Sequence, residues 1–182
     1  RLWLLSRAPA TEETRRAAND KNRHVRRSAI TVLGLIADKK AVPELKAILT
    51  NLGEDVDVRC LAAEALGRVA APEAVSSLVE ALSDGERDVR KSAVDALAEF
   101  KDHSLMKPIA ELLKDEFKDV RMRAADALGT LGDPASRDLL HEALLDQHRV
   151  VRKHAAMALA RLGDEQAIDP LIAALRDEED MN

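Results

Sequence analysis

The chain has 182 residues, 46% of them hydrophobic and 34% charged, with a net charge of −5. An aromatic content of 2%, the absence of tyrosine and the acidic balance argue against a nucleic-acid groove built on stacking and basic side chains. A single cysteine, Cys60, excludes an internal disulfide and points to a reducing, cytoplasmic setting; no apolar run approaches the length of a membrane span.

Abundant Ala, Leu, Glu, Arg and Lys favour helix along the whole chain. A Val-Arg pair recurs five times, at Val25-Arg26, Val58-Arg59, Val89-Arg90, Val120-Arg121 and Val151-Arg152, with arginine spacings of 33, 31, 31 and 31 residues. A fixed period in this range marks a stack of repeats, each packed on its neighbours. It predicts an all-α chain, an α-solenoid of two-helix units.

In chain order, residues 1–21 form a partial unit. The register puts Leu2 and Leu5 on apolar positions, but the second helix, about Glu12 to Asn19, has Thr11, Thr14 and Arg15 where apolar residues belong. This unit is expected to pack loosely or to lean on something absent from this chain. Residues 1–27 hold eight Lys/Arg against three Asp/Glu, a net +5, while the remainder carries −10. Five full units follow, approximately 22–52, 55–84, 86–115, 117–146 and 148–177, and 178–182 starts another. Both ends fall inside the pattern, so the chain is expected to be an excerpt of a longer protein.

Each unit can be numbered from its arginine. Val precedes it, Ala lies three after it (29, 62, 93, 124, 155), Leu seven after it (33, 66, 97, 128, 159) and an apolar residue ten after it (Ile36, Val69, Phe100, Leu131, Leu162). Steps of four, four and three place these positions on one helical face. The alanines, often joined by one at six after (Ala65, Ala96, Ala127, Ala158), allow a neighbouring helix to come close. Asp57, Asp88 and Asp119 are expected to N-cap these first helices.

Gly-Asp at 132–133 and 163–164 closes a first helix and offers a cap for a second. Asp38 and Asp102 hold the same position, with Ala71 as the exception. Pro43, Pro72, Pro108, Pro134 and Pro170 fall near the start of the second helix, where proline is tolerated. Its buried stripe reads Val42, Leu45, Leu49; Val75, Leu78, Val79, Leu82; Met106, Ile109, Leu113; and Ile168, Leu171, Ile172, Leu175.

The arginines Arg26, Arg59, Arg90, Arg121 and Arg152 suggest a phosphate-binding ladder at first sight. An aspartate six residues before four of them (Asp20, Asp84, Asp115, Asp146) favours a structural tie between loop and helix in every unit; Gly53 takes that place in the second. Cys60 follows Arg59 at a variable position expected to be exposed, and is read as incidental.

Segments such as DVRKSAVDALAEF, DVRMRAADALGTLGDP and VVRKHAAMALARLGDEQAIDPLIAALRD resemble HEAT repeats, most of all the short variety of the phycobilisome lyases. The resemblance covers nearly the whole chain and implies an armadillo-like superhelix. It implies no one activity, since such repeats serve many contexts. The resemblance extends in fold to deoxyhypusine hydroxylase, which binds two irons through recurring His-Glu pairs, but here only His141-Glu142 has that form. No catalytic residue, cofactor or metal ligand is assigned, and no P-loop, HExxH, paired CxxC or Gly-x-Ser-x-Gly occurs.

In relatives of this kind the second helices line the concave side. By that resemblance the partner-binding ridge comprises Ser76, Glu80, Lys107, Glu111, Lys114, Asp138, His141, Glu142, Leu145, Asp169 and Arg176. The fourth second helix departs most from the pattern, with Arg137 and His141 on stripe positions and Leu139 and Leu145 towards the outside. The reading is a non-catalytic scaffold for another protein or another domain of the same chain, with no membrane role. The alternatives are the scaffolding part of an enzyme complex such as a bilin-lyase-like protein, and nucleic-acid binding through the basic first 27 residues.

Overall fold

The computed structural model describes residues 12–167 together with 169, 170 and 172. Every regular element among them is helical. The helices are α1 (Glu12–Ala17), α2 (Arg23–Leu35), α3 (Val42–Thr50), α4 (Val56–Val69), α5 (Val75–Ala81) and α6 (Arg87–Ala98). They continue with α7 (Met106–Ala110), α8 (Lys118–Leu131), α9 (Arg137–Ala143) and α10 (Arg149–Arg161). The chain is an α-solenoid of helical hairpins, dividing into two compact units, Arg1–Phe100 and Lys101–Asn182. Leu2, Leu5, Arg176 and most of the last stripe lie outside the described residues.

The core follows the register of the repeat. The five leucines at 33, 66, 97, 128 and 159 are fully buried, and so are Val58, Val89, Val120 and Val151. Val25, in the same register, is 38% exposed, because the described element ahead of it is the six-residue α1 rather than a full hairpin. That helix buries none of its own residues; Arg15 instead bonds Asp38 at 3.1 Å.

Within Arg1–Phe100, α2 packs on α4 and α4 on α6; within Lys101–Asn182, α8 packs on α10. These contacts are close enough to require glycine eight residues after the arginine. A Cβ on Gly67 would stand 2.8 Å from Ala96 Cα, and one on Gly129 would stand 2.7 Å from Ala158 Cα. The recurrent alanine of one repeat therefore seats on the glycine of the repeat before it.

The first helix ends the same way in all five repeats. The residue eleven after the arginine is left-handed: Ala37 (φ 51°), Ala70 (φ 49°), Lys101 (φ 51°), Gly132 (φ 73°) and Gly163 (φ 69°). Each second helix is preceded by a 3-10 turn, capped by Asp38, Asp102, Asp133 or Asp164 through backbone bonds to Lys40, Ser104, Ala135 or Gln166. At Asp102, the bonds from the Ser104 N–H and hydroxyl hold the carboxyl below its usual range. Ala71 opens its turn without a side-chain cap. In the third repeat α7 passes into a further 3-10 turn, Glu111–Lys114.

The N-caps differ from expectation. Asp55, Glu86 and Phe117 occupy the cap positions of α4, α6 and α8, so Asp57, Asp88 and Asp119 are the second residues of those helices. Their charge favours the positive end of the helix dipole instead. The entry is built from loop aspartates two residues before the cap: Asp84, Asp115 and Asp146 accept from the N–H of Glu86, Phe117 and His148 at 2.9, 2.8 and 2.7 Å.

Candidate interaction surface

The recurrent arginines join repeats. Arg26, Arg90, Arg121 and Arg152 donate to the carbonyls of Asp20, Asp84, Asp115 and Asp146, six residues back, at 2.8–2.9 Å. The same guanidinium nitrogens reach the next carbonyl, at Lys21, Gly85, Glu116 and Gln147. The tie to each arginine's own loop thus runs through main chain rather than through the aspartate carboxylate. The carboxylate belongs to the arginine of the preceding repeat.

Arg121 grips Asp146 by Nε and Nη2 at 2.6 and 3.0 Å, Arg59 bonds Asp84, and Arg26 bonds Glu54 at 2.5 Å where Gly53 replaces the aspartate. Arg59, Arg90 and Arg121 are buried, which takes them away from any solvent-borne phosphate. Burial pushes the Asp146 carboxyl up, but the Arg121 bonds and the His148 N–H overcome it and hold the carboxyl below its usual range. Arg121 is correspondingly raised, first by its bond to Asp146.

The two polar misfits of the fourth repeat have a similar task. Arg137 donates to the Leu162 carbonyl at 2.6 Å, and His141 Nε2 stands 2.8 Å from Asp164 Oδ2. Both side chains are half-buried and face the turn of the following repeat. The His141 bond keeps the Asp164 carboxyl below its usual range against a smaller desolvation effect. His141 therefore lies on the stripe, where its register puts it, and is withdrawn from the ridge set in which it was also counted. An arginine and a histidine on an apolar stripe were the available signal, and they meant a polar joint with the next repeat.

The other described ridge residues, Ser76, Glu80, Lys107, Glu111, Lys114, Asp138, Glu142, Leu145 and Asp169, are exposed. Carboxylates on the two faces behave differently. On first helices Asp57 pairs with Arg27, Glu64 with Arg68, Asp88 with Lys91, and Asp126 with His154 and Arg161. Among the described residues Glu80, Glu111, Asp138 and Glu142 make no such pair.

Among the grooves between successive second-helix segments of the described residues, one in each unit lies beside an exposed leucine. Leu49 and Thr50 of α3, with Leu52 just beyond it, face Glu80 and Ala81 of α5 across one of about 290 Å³. Leu113 and Lys114 face Leu139, Glu142 and Leu145 across the other, about 210 Å³. Leu52 is 78% exposed and Leu145 is 85% exposed. Among the described residues, no group of three or more His, Cys, Asp or Glu side chains is placed to hold a metal ion.

The described arginines of the basic segment spend their charge internally. Arg15, Arg16, Arg23, Arg26 and Arg27 pair with Asp38, Glu12, Asp55, Glu54 and Asp57. Cys60 is half-buried rather than exposed, with a hydrogen bond to Ser92; burial pushes its thiol pKa up, away from the reactive thiolate. No described helix is long and apolar enough to cross a membrane.

Stacked hairpins joined by glycine seats and arginine ties define an α-helical repeat protein. HEAT repeats match residues 47–108 and 105–181, and a PBS lyase HEAT-like repeat matches 25–51. The chain belongs to the HEAT-repeat family. No curated protein shares significant sequence similarity with it.

Among solved structures, the chain is similar to the complex of CpcE and CpcF of phycocyanin lyase from Nostoc sp. PCC7120. The TM-score is 0.74 at 23% identity, covering 88% of this chain and 68% of that one. It is also similar to a designed armadillo repeat protein in complex with the peptide (KR)4, with a TM-score of 0.62 at 18% identity over 88% and 90% of the two chains. At these identities the likeness shows the fold alone.

Proposed function

We propose that the chain is a non-catalytic, cytoplasmic interaction scaffold that presents its second-helix ridge to another protein or to another domain of the same polypeptide. One observation carries the reading. The first-helix carboxylates are spent in ion pairs, whereas Glu80, Glu111, Asp138 and Glu142 in the second-helix segments stand exposed with no ion pair among the described residues, and Glu80 and Glu142 share grooves with the exposed Leu52 and Leu145. Charges left without partners on one face, next to apolar side chains in water, suit a surface completed by another molecule. The nearby lyase complex is a protein assembly, and a catalytic chain co-purifying with this one would make it the scaffold of an enzyme complex.

The test is capture from native extract with the 182-residue chain at two salt concentrations, beside charge reversals on either face. A protein held at high salt by the wild type and by Asp57→Lys, but lost with Glu111→Lys and Glu142→Lys together, supports the reading. Loss with the first-helix reversal alone would move the working surface to the other face. Recovery of nucleic acid alone, released by salt, would replace the reading with an electrostatic one.

A further inference from the structure

The two grooves occupy the same register. Leu49 and Leu113 each lie 23 residues after their arginine, Glu80 and Glu142 each lie 21 after theirs, and Ala81 and Ala143 follow. Each groove is lined by leucine and alanine and carries one glutamate with no ion pair among the described residues; an exposed leucine borders each, Leu52 from the Leu49 side of the first and Leu145 from the Glu142 side of the second. At about 290 and 210 Å³ they fall below the usual size of a small-molecule site, and suit one or two side chains of a peptide.

The first groove is lined by no basic residue. Its other acid, Asp84, is already bonded to the buried Arg59, so the charge left to meet a ligand is that of Glu80. Ser83 supplies a hydroxyl with no intramolecular partner among the described residues, within reach of an extended backbone. The second groove differs at several places: Lys114 stands where the first has Thr50, so both signs of charge border it, Leu145 stands where the first has Ser83, and Ala110 and Leu139 add to its apolar lining.

Resting on the scaffold reading above, we propose that the groove between α3 and α5 docks an extended basic peptide. Such a peptide inserts an apolar side chain beside Leu49 and Leu52 and sets a lysine or arginine against Glu80. The groove between Leu113 and Leu145 takes the same kind of peptide more weakly, because Lys114 repels it. Apolar insertion supplies most of the affinity, and the glutamate supplies the choice of sign.

The experiment uses the full chain with isotope-labelled leucine methyls, titrated with an end-blocked Lys-Leu-Lys-Leu-Lys peptide and with its Glu-Leu-Glu-Leu-Glu counterpart. Saturable shifts at Leu49 and Leu52 with the basic peptide are expected, with binding at least tenfold tighter than for the acidic one. Glu80→Gln should weaken it about two- to fivefold, the range of an exposed ion pair, and Leu52→Ala at least fivefold. Leu52 is solvent-exposed, so its truncation should leave the thermal melt unchanged. Lys114→Thr should tighten binding at Leu145.

Equal binding of both peptides, no shift at Leu52 and Leu145, or indifference to Glu80→Gln and Leu52→Ala would each overturn the proposal. If the extract partner is still lost with the ridge reversals while the peptide is ignored, the grooves are wrong and the scaffold reading stands. If neither binds, both fall.

Discussion

At Ala70 the backbone holds an L-residue at φ 49° and ψ 38°, a conformation that crowds its Cβ against the following carbonyl. Gly132 occupies the same register without that cost. Ala70→Gly should therefore stabilise the fold by about 0.5–1 kcal/mol, the relief of strain exceeding the added freedom of the unfolded chain. Gly132→Ala should destabilise it by about 1 kcal/mol. Urea midpoints of the two variants check both signs, and a destabilised Ala70→Gly would show that the left-handed turn carries no strain.

The Arg121–Asp146 pair sets an acid dependence. The Asp146 carboxyl is depressed in the folded state, so its stabilisation is complete above the unfolded carboxyl value of about 3.9 and fades as pH falls through the lower folded value. Asp146→Asn leaves the 6% exposed Arg121 without its carboxylate and should cost roughly 2 kcal/mol near neutral pH. Denaturant titrations from pH 7 to pH 3 should show the gap between wild type and variant narrowing below about pH 4. A gap that stays constant would mean that the bond contributes no charge-dependent stability.

Single helices here are short and owe their stability to the seam between them, not to propensity. Leu128 fills that seam and is fully buried, so Leu128→Ala should cost about 2–5 kcal/mol. Gly129→Ala adds only a methyl, but that methyl meets the Ala158 backbone at 2.7 Å, and the helices must part by a cost of about 1–3 kcal/mol. Thermal melts of Gly129→Ala beside Thr130→Ala, an exposed neighbour, separate this crowding from helix propensity.

These elements also mark what a sequence reveals. The buried leucines and alanines were legible because a helical face repeats every three or four residues, and repeats make the pattern redundant. The Arg121–Asp146 pairing was not, since it joins residues 25 apart whose meeting depends on how one hairpin stacks on the next. The left-handed Ala37, Ala70 and Lys101 carry no residue-type signal; only their alignment with Gly132 and Gly163 reveals them. On the ridge, the exposure of Glu80 and Glu142 follows from register, while the withdrawal of His141 depended on finding Asp164 opposite it.

At the scale of the whole molecule, contacts within each unit run from one hairpin to the next, so the stability of a unit is a sum of local interfaces rather than one shared core. A break at one joint should then be felt locally. In Asp146→Ala the joint between α8 and α10 loses its bidentate bond, and with it the carboxylate that accepts the His148 N–H. Native-state hydrogen exchange should show faster amides in α8, α9 and α10, with α2, α3 and α4 keeping wild-type protection. The ridge in the first unit should then hold its peptide unchanged while the groove at Leu145 weakens, since Asp146 lines that groove and anchors its floor. Uniform loss of protection through α2, α3 and α4 would show that the chain unfolds as one cooperative body, and that a ligand on one groove is coupled to the other.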